Sequence, residues 1–382
     1  MVIKMYFRLN TECFFIRGKK CGAIFDLIMN KIYALNQKET QILTLAEKNE
    51  PIRIDEEFLN ELMRLRLGNF YLNKTYIQKL RLGSPQEMPG LPPKLHRAFL
   101  EINNSCNRDC WFCGYYGIRR SLGCLGCNKW NENGKALDIE KWKELIDGLK
   151  DLDCIDIYIT GGDLTLSWKK TIGVLDYAYG KFNKIYLTLN QQSISSEKIS
   201  DLNGRADLII QSQELDNLNS NRFPTLSIVS PEEWKCEDST RIKNIFNDYV
   251  IKDGNSYSKD LPMMSKEKFS SFNMHKFLNN FEHHPCLGQT LSICCNGNVI
   301  PCPMMRNHSF GNVKTEELYS IFERRMGDID KFWKLNLDKI EKCSGCEFRY
   351  VCADCRALEE ELTGKIDGKM LCSYDPIKGT WL

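Results

Sequence analysis

Cysteine placement constrains this chain more than any other feature of its sequence. Of 18 cysteines in 382 residues, five fall between Cys106 and Cys127. Nine more crowd the last hundred residues, at positions 286, 294, 295, 302, 343, 346, 352, 355 and 372. Cys13 and Cys21 lie near the start, while Cys154 and Cys236 are isolated and read most simply as small buried hydrophobes. The overall density is far below that of a small disulfide scaffold. The first 20 residues carry no apolar h-region or cleavage site, so no secretory signal is expected. No apolar run approaches the roughly 20 residues of a membrane span. The expected location is therefore the cytoplasm, where grouped thiols are metal ligands before they are disulfides. With 52 Lys+Arg against 50 Asp+Glu, nothing suggests a nucleic-acid partner, because no face is obliged to be basic.

Three regions follow from the residue patterns. Residues 1–92 hold short β-type runs (KMYFRL, CFFIRG, AIFDLIM, KIYALN) and then two helical patterns, QKETQILTLAEKN and DEEFLNELMRLRL. Leu59, Leu62, Met63 and Leu65 form the apolar side of the second helix. Strands followed by helices suggest a small α+β module of the winged-helix kind. The stretch SPQEMPGLPPK, residues 84–94, reads as a linker. Residues 93–255 alternate strand and helix, with HRAFLEIN, CIDIYIT, KIYLTLN, ADLIIQS, TLSIVS and DYVIKDG as strands. This predicts an α/β fold of parallel βαβ units, closed wholly or in part into a TIM-like barrel. Residues 256–382 are less regular: LSICCNGNVIPC predicts a hairpin turning on Asn296 and Gly297, and EELYSIFERRM predicts a helix. A region with so little periodicity is expected to need metal to hold it together.

Directly after the first strand of the alternating region, NNSCNRDCWFCGYYG sets Cys106, Cys110 and Cys113 in C-x3-C-x2-C spacing. Three thiolates on one loop can wrap an iron–sulfur cubane and leave one iron without protein coordination. An open position is where a metal site does chemistry. The alternative is a zinc loop that borrows Cys124 or Cys127. One βαβ unit on, Gly161, Gly162 and Asp163 end the strand IYIT, and later strand ends carry Asn190 and Gln211-Ser212.

The C-x3-C-x2-C triad, with Phe112 before its last cysteine, resembles the signature of radical SAM enzymes. The resemblance implies a partial (β/α)6 barrel, a [4Fe–4S] cluster, and S-adenosylmethionine chelating the open iron. Cleavage of that cofactor then yields a 5′-deoxyadenosyl radical that takes a substrate hydrogen. By the same resemblance Gly161, Gly162 and Asp163 stand where the family has Gly-Gly-Glu to receive the methionine ammonium. Asp is one methylene shorter than the usual Glu. Asn190, Gln211 and Ser212 could meet the ribose or the methionine carboxylate, or be solvated loop residues, and Phe112 could offer backbone contact to adenine.

The last cysteines resemble a SPASM domain. Cys286, ten residues, Gly297, four residues and Cys302 are followed by Cys343, Cys346, Cys352 and Cys355 and then Cys372. The chain departs from the family pattern between Cys352 and Cys355, which two residues separate rather than three. The resemblance implies one or two auxiliary [4Fe–4S] clusters, with Cys343, Cys346, Cys352 and Cys372 on one. Cys286, Cys302 and Cys355 would hold the other, with Cys294, Cys295, His283, His284 or an open position as the fourth site. Paired C-x2-C motifs also make zinc sites. Cys124 and Cys127 belong to neither pattern.

The three parts together resemble maturases of ribosomally made peptides, and short motifs within them resemble the grasp-with-SPASM group. This implies a precursor peptide whose leader joins the first module as an added β-strand. It also implies an electron donor such as flavodoxin or ferredoxin, and an ATP-grasp ligase in the same pathway. The first 92 residues carry 14 basic against 10 acidic side chains, which favours an acidic leader. The expected reaction is hydrogen abstraction followed by an intramolecular crosslink (thioether, C–C or C–O). Alternatives are a peptide epimerase, a sulfatase-type protein maturase, and a non-catalytic metal-stabilised scaffold. No catalytic acid or base can be named from sequence. The Lys-, Asn- and Ile-rich composition fits a bacterial protein.

Overall fold

The computed structural model describes residues 4–81, 95–111, 113–114, 116–119, 126–130, 132, 134–212, 223–229, 245–251, 272–352 and 354–381. Phe112, Cys124, Cys236 and the expected linker lie outside the described residues. The first module runs β1 (Lys4–Leu9), β2 (Cys13–Arg17), β3 (Gly22–Asp26), β4 (Lys31–Leu35), α1 (Gln37–Glu47), β5 (Ile52–Arg53), α2 (Glu57–Arg64) and β6 (Gly68–Tyr71). It forms two three-stranded sheets, in the orders β5-β1-β6 and β2-β3-β4. A reciprocal capping box starts α1: Glu39 N donates to Asn36 Oδ1 at 3.0 Å and Asn36 N to Glu39 Oε2 at 2.8 Å. Leu59 and Leu62 of α2 are buried as the pattern requires, but Met63 and Leu65 are exposed. The helix is only two turns long and ends at Arg64, so its inward stripe is too narrow to hold all four. Strands β5 and β6 are too short to carry a hydrophobic pattern of their own.

All five residues of β3 are buried, which a half-exposed strand would not allow. Strand side chains alternate between faces. Ile24 accordingly enters the module's own core with Phe7, Leu43 and Leu59. Ala23 and Phe25 point the other way, into a core shared with Phe277, Leu337, Ile340, Phe348 and Tyr374 near the C-terminus. The turn after β2 adds backbone contact there, Lys19 N donating to Gly345 O at 2.8 Å.

The central sheet takes strands from both remaining regions. Its elements are β7 (Arg97–Glu101), β8 (Tyr116–Arg119), α3 (Ile139–Asp151), β9 (Asp156–Thr160), α4 (Trp168–Ala178), β10 (Lys184–Asn190), α5 (Ser196–Leu202), β11 (Asp207–Ser212), β12 (Thr225–Val229) and β13 (Ile245–Ile251). Then come α6 (Met274–Glu282), β14 (Thr290–Ile293), β15 (Asn298–Ile300), β16 (Gly311–Asn312) and α7 (Leu318–Trp333). The chain closes with α8 (Glu341–Ser344), α9 (Arg356–Thr363), β17 (Tyr374–Asp375) and β18 (Thr380–Trp381). The ten-stranded order is β16-β15-β14-β7-β9-β10-β11-β12-β13-β8. Strands β14, β7 and β9 to β13 are mutually parallel, while β8 and β15 run antiparallel to them and β16 pairs antiparallel with β15. The six expected strands are all present, and β14, from the hairpin expected farther along, adds a seventh parallel strand beside β7.

That hairpin differs in one respect. Cys294 N donates to Asn298 O and Gly297 N to Cys294 O, so the loop is the three residues Cys295, Asn296 and Gly297 rather than two. Gly297 takes φ +94°, the left-handed residue that closes such a loop.

On one face of the sheet, Ala98, Leu100, Ile157, Ile159 and Leu187 pack against α3, α4 and α7. On the other, in-register Phe99, Tyr158 and Tyr186 stack with ring centroids 5.0 and 4.6 Å apart. Two residues farther along each strand this same face turns polar, with Glu101, Thr160 and Thr188 all buried. No helix among the described residues is long and apolar enough to cross a membrane.

Because Phe25 touches both Phe272 and Phe277 across the module boundary, Phe25→Ala should lower unfolding free energy by about 3–5 kcal/mol. Anaerobic urea denaturation would measure it. An unchanged midpoint would show that the two cores are independent.

Candidate active site and cysteine cavities

Strand β7 delivers the chain into the segment that carries Cys106, Cys110 and Cys113. These three thiols line one cavity with Arg108, Cys127, Asn128, Lys129, Gly162, Asp163 and Asn190. The spacing therefore brings together the residues it was expected to. Lys129 N donates to Cys113 Sγ at 3.1 Å, and Asn128 Oδ1 accepts from Gly114 N at 2.5 Å.

The two glycines are required by close backbone approach. A Cβ on Gly161 would lie 2.5 Å from Asn103 O, and one on Gly162 would overlap the Ser105 carbonyl, whose carbon is at 2.9 Å. Gly162 N donates to Asn103 O at 3.0 Å and Asp163 N to Ser105 O at 2.8 Å. The Gly-Gly-Asp turn thus clamps the residues just before Cys106.

Asp163 is buried and fully engaged. Its Oδ1 accepts from Thr165 N (3.0 Å) and Thr165 Oγ1 (2.6 Å), and its Oδ2 from Ser193 Oγ (2.8 Å). Arg108 Nε stands 3.5 Å from the same Oδ2. Burial pushes the carboxyl up, but those bonds and the Arg108 charge outweigh it and hold Asp163 below the usual range. Arg108 also donates to Gln192 O (2.9 Å) and Ser193 Oγ (3.0 Å). It lies inside the C-x3-C interval, a position that could have flagged it.

Asn190 and Gln211 are cross-strand partners. Both turn their amides to Cys127, Gln211 Nε2 at 3.3 Å and Asn190 Nδ2 at 3.9 Å from the sulfur. Ser212 Oγ bonds Gln191 Oε1. Burial pushes the Cys127 thiol up to about 12. A second cavity, sharing Asn128 with the first, is lined by Glu101, Trp130, Thr160, Gly161, Pro303 and Met304 among others. At its edge Arg306 bonds Glu101 Oε2 (2.8 Å) and Glu132 Oε2 (2.5 Å), with its guanidinium 5.1 Å from the Trp130 ring centre. Sequence offered no signal for this trio, because its members lie far apart in the chain.

Near the C-terminus, Cys343, Cys346, Cys352 and Cys372 line a single cavity with Phe348, Tyr374 and Trp381. Phe348 N faces Cys346 Sγ at 3.4 Å. Burial pushes the Cys343 thiol up to about 12 and the Cys352 thiol well above its usual range. Thiols so buried need a cationic centre to be held as thiolates, which an iron–sulfur cluster provides. Cys302 and Cys355 meet in an apolar cluster with Trp130, Leu287, Met304 and Met305, and Cys286 lies close enough to Cys355 to raise its pKa further. Among the described residues, no group of three or more His, Cys, Asp or Glu is arranged to hold a single metal ion. The thiols ring cavities instead.

His284, one candidate for the fourth site, has no free ring nitrogen. Its Nδ1 accepts from Cys286 N (3.0 Å) and Leu287 N (2.8 Å), so Nε2 carries the proton and donates to Asp354 Oδ2 (3.0 Å). His283 instead sits among Glu282, Lys334, Asp330 and His96. Cys294 and Cys295 have Glu101, Arg306 and Glu132 as charged neighbours. Asp354 also binds Arg356 (2.5 Å) and Lys369 (2.9 Å), and Lys369 binds Glu359 (3.0 Å). Burial pushes the Asp354 carboxyl up, but Lys369, His284 and Arg356 hold it well below the usual range.

Residues 285–347 match the SPASM family, an iron–sulfur cluster-binding domain. The matched span contains Cys286, Cys302, Cys343 and Cys346. No curated protein matches the sequence. Among solved structures the chain is similar to Streptococcus suis SuiB bound to S-adenosylmethionine, at 14% identity over 92% of this chain and 96% of that one, TM-score 0.41. SuiB bound to precursor peptide SuiA is similar at 15% identity, with 92% and 96% covered and TM-score 0.43. BtrN in complex with AdoMet and 2-DOIA is similar at 16% identity, with 72% and 99% covered and TM-score 0.38.

Asp354→Asn removes a carboxylate paired with two buried cations, and should cost about 3–5 kcal/mol of stability. Iron bound per chain should fall with it. Chemical denaturation and iron assay of the reconstituted variant check both, and a variant matching the wild type would show the network to be dispensable.

Proposed function

We propose that the chain is a radical SAM enzyme that modifies a ribosomally made precursor peptide. One observation carries this reading. Three cysteines in C-x3-C-x2-C spacing share a cavity with a clamped Gly-Gly-Asp turn, at the C-terminal ends of parallel strands where such folds do chemistry. A SPASM iron–sulfur domain in the same chain supports it.

In this reading Cys106, Cys110 and Cys113 hold the [4Fe–4S] cluster. Gly161, Gly162 and Asp163 shape the wall that receives S-adenosylmethionine, with Asn190, Gln211 and Ser212 at the neighbouring strand ends. Bound together, cluster and cofactor supply the 5′-deoxyadenosyl radical, and the protein's task is to bind, orient and exclude water. Asp163, through Arg108 and Ser193, fixes the loop on which two of the thiols lie. Cys343, Cys346, Cys352 and Cys372 hold one auxiliary cluster, and Cys286, Cys302 and Cys355 hold another. Such clusters suit a crosslinking reaction, because closing a bond after hydrogen abstraction leaves an electron to be accepted.

The N-terminal module is the element for leader recognition. Strand β4 is an edge of its sheet and is largely exposed at Lys31 and Ala34. An extended peptide could add there, with main-chain bonds supplying affinity. An electron donor of the flavodoxin or ferredoxin kind, and an ATP-grasp ligase of the same pathway, complete the proposed partners.

The test is 5′-deoxyadenosine by mass spectrometry from anaerobically reconstituted, reduced protein given S-adenosylmethionine and its precursor peptide. Product should form with the wild type and vanish in Cys110→Ala. Iron-loaded wild type that yields none would sink the radical reading and leave a peptide-binding scaffold.

A further inference from the structure

Four thiols line the cavity after β7, and the three-cysteine motif accounts for only three of them. The fourth, Cys127, is held where it stands. Gly126 O accepts from Thr160 Oγ1 at 2.6 Å, and Asn128 N donates to Gly161 O at 2.8 Å. Its segment is therefore pinned to the end of β9 on both sides of the cysteine.

The surroundings of its sulfur resemble those of a ligand thiolate. Gln211 Nε2 and Asn190 Nδ2 both point at Cys127 Sγ, as Lys129 N does at Cys113 Sγ. Gln211 is completely buried, and its Nε2 also reaches Cys127 O at 3.3 Å, while its Oε1 has no partner among the described residues. Turning that amide over would set Oε1 against both the carbonyl oxygen and the sulfur. The observed arrangement instead presents N–H to the Cys127 carbonyl and sulfur alike. Donors aimed at sulfur favour its anionic form.

We propose that Cys127 supplies a fourth thiolate to the cluster of Cys106, Cys110 and Cys113 in the cofactor-free protein, and yields that position to S-adenosylmethionine. This rests on the assignment of those three cysteines as cluster ligands. In the exchange the Cys127 sulfur–iron bond breaks, and bonds from the methionine nitrogen and carboxylate form. The proton shed by the methionine ammonium passes to the Cys127 sulfur, and no electron moves. The displaced thiol stays beside Gln211 and Asn190. The closed state protects an otherwise open iron from loss and from small competing ligands until the cofactor arrives.

The test uses full-length protein, reconstituted anaerobically, without cofactor. Oxidation by ferricyanide strips the unique iron from a three-cysteine cluster and leaves a [3Fe–4S] centre visible by electron paramagnetic resonance. The triple variant Cys106→Ala/Cys110→Ala/Cys113→Ala, in which Cys127 alone remains in the cavity, sets the background from the auxiliary clusters. Above that background the wild type should give little signal and Cys127→Ala a strong one. S-Adenosylmethionine should bind Cys127→Ala about tenfold more tightly, because nothing has to be displaced. Cys127→Ser, which keeps a polar partner for Gln211, should move both readouts in the same direction and decides the matter if the alanine variant does not fold. Equal signals and equal affinities in wild type and variants would overturn the proposal. A triple variant that keeps the wild-type reduced-cluster signal and cofactor binding would instead overturn the assignment of the three cysteines.

Discussion

The pairing of β7 with β14 is the constraint on which the rest of the molecule depends. Strand β7 runs parallel to β9 on one side and to β14 on the other, with Arg97 opposite both Asp156 and Thr290. Every residue of β14 is buried, so this strand cannot be peeled away without opening the sheet. Arg97 reinforces the junction by donating to Thr290 Oγ1 (2.8 Å) and to Cys286 O (2.8 Å). The strand that feeds the first cysteine cluster is thereby bonded to the segment that carries the first SPASM cysteine. Glu101, at the end of β7, repeats the link by accepting from Cys295 N at 3.2 Å.

Buried charge is paired at two places beside the cysteines. Arg306, nearly buried, lies between Glu101 and Glu132. Around Asp354, two carboxylates face two cations, so the interior carries no net charge from that group. Its members touch three cysteine-bearing segments: His284 precedes Cys286, Asp354 and Arg356 flank Cys355, and Glu359 accepts from Met370 N and Leu371 N just before Cys372. Such an arrangement contributes less to stability than to fixing where each thiol stands, since a buried ion pair gains little net energy over apolar packing.

The N-terminal module shares in this fixation. Its sheet β2-β3-β4 is covered on one face by its own helix α1 and on the other by the core that holds Cys343 and Cys352. Ile32 of the edge strand β4 packs against that same core. The module and the cysteine-rich region make one folding problem.

Sequence alone determined the strands and helices of the alternating region, because their periodicity is strong and each contact it implies is local. It also picked out Cys106, Cys110 and Cys113, and Cys343, Cys346 and Cys352, as thiols that would gather, because fixed spacing on one segment dictates proximity. Cys372 joins the latter three only through the family resemblance. Only the tertiary structure decided that β14 joins the central sheet and that β3 is buried on both faces. The hairpin's three-residue loop, the tying-off of His284, and the place of Cys127 in the first cavity were likewise settled there. The reason is the same in each case. Asn190 and Gln211 meet Cys127 from 63 and 84 residues away in the chain, and His284 meets Asp354 across 70. No local pattern encodes such a contact, which exists only once the sheet has brought its strand ends together.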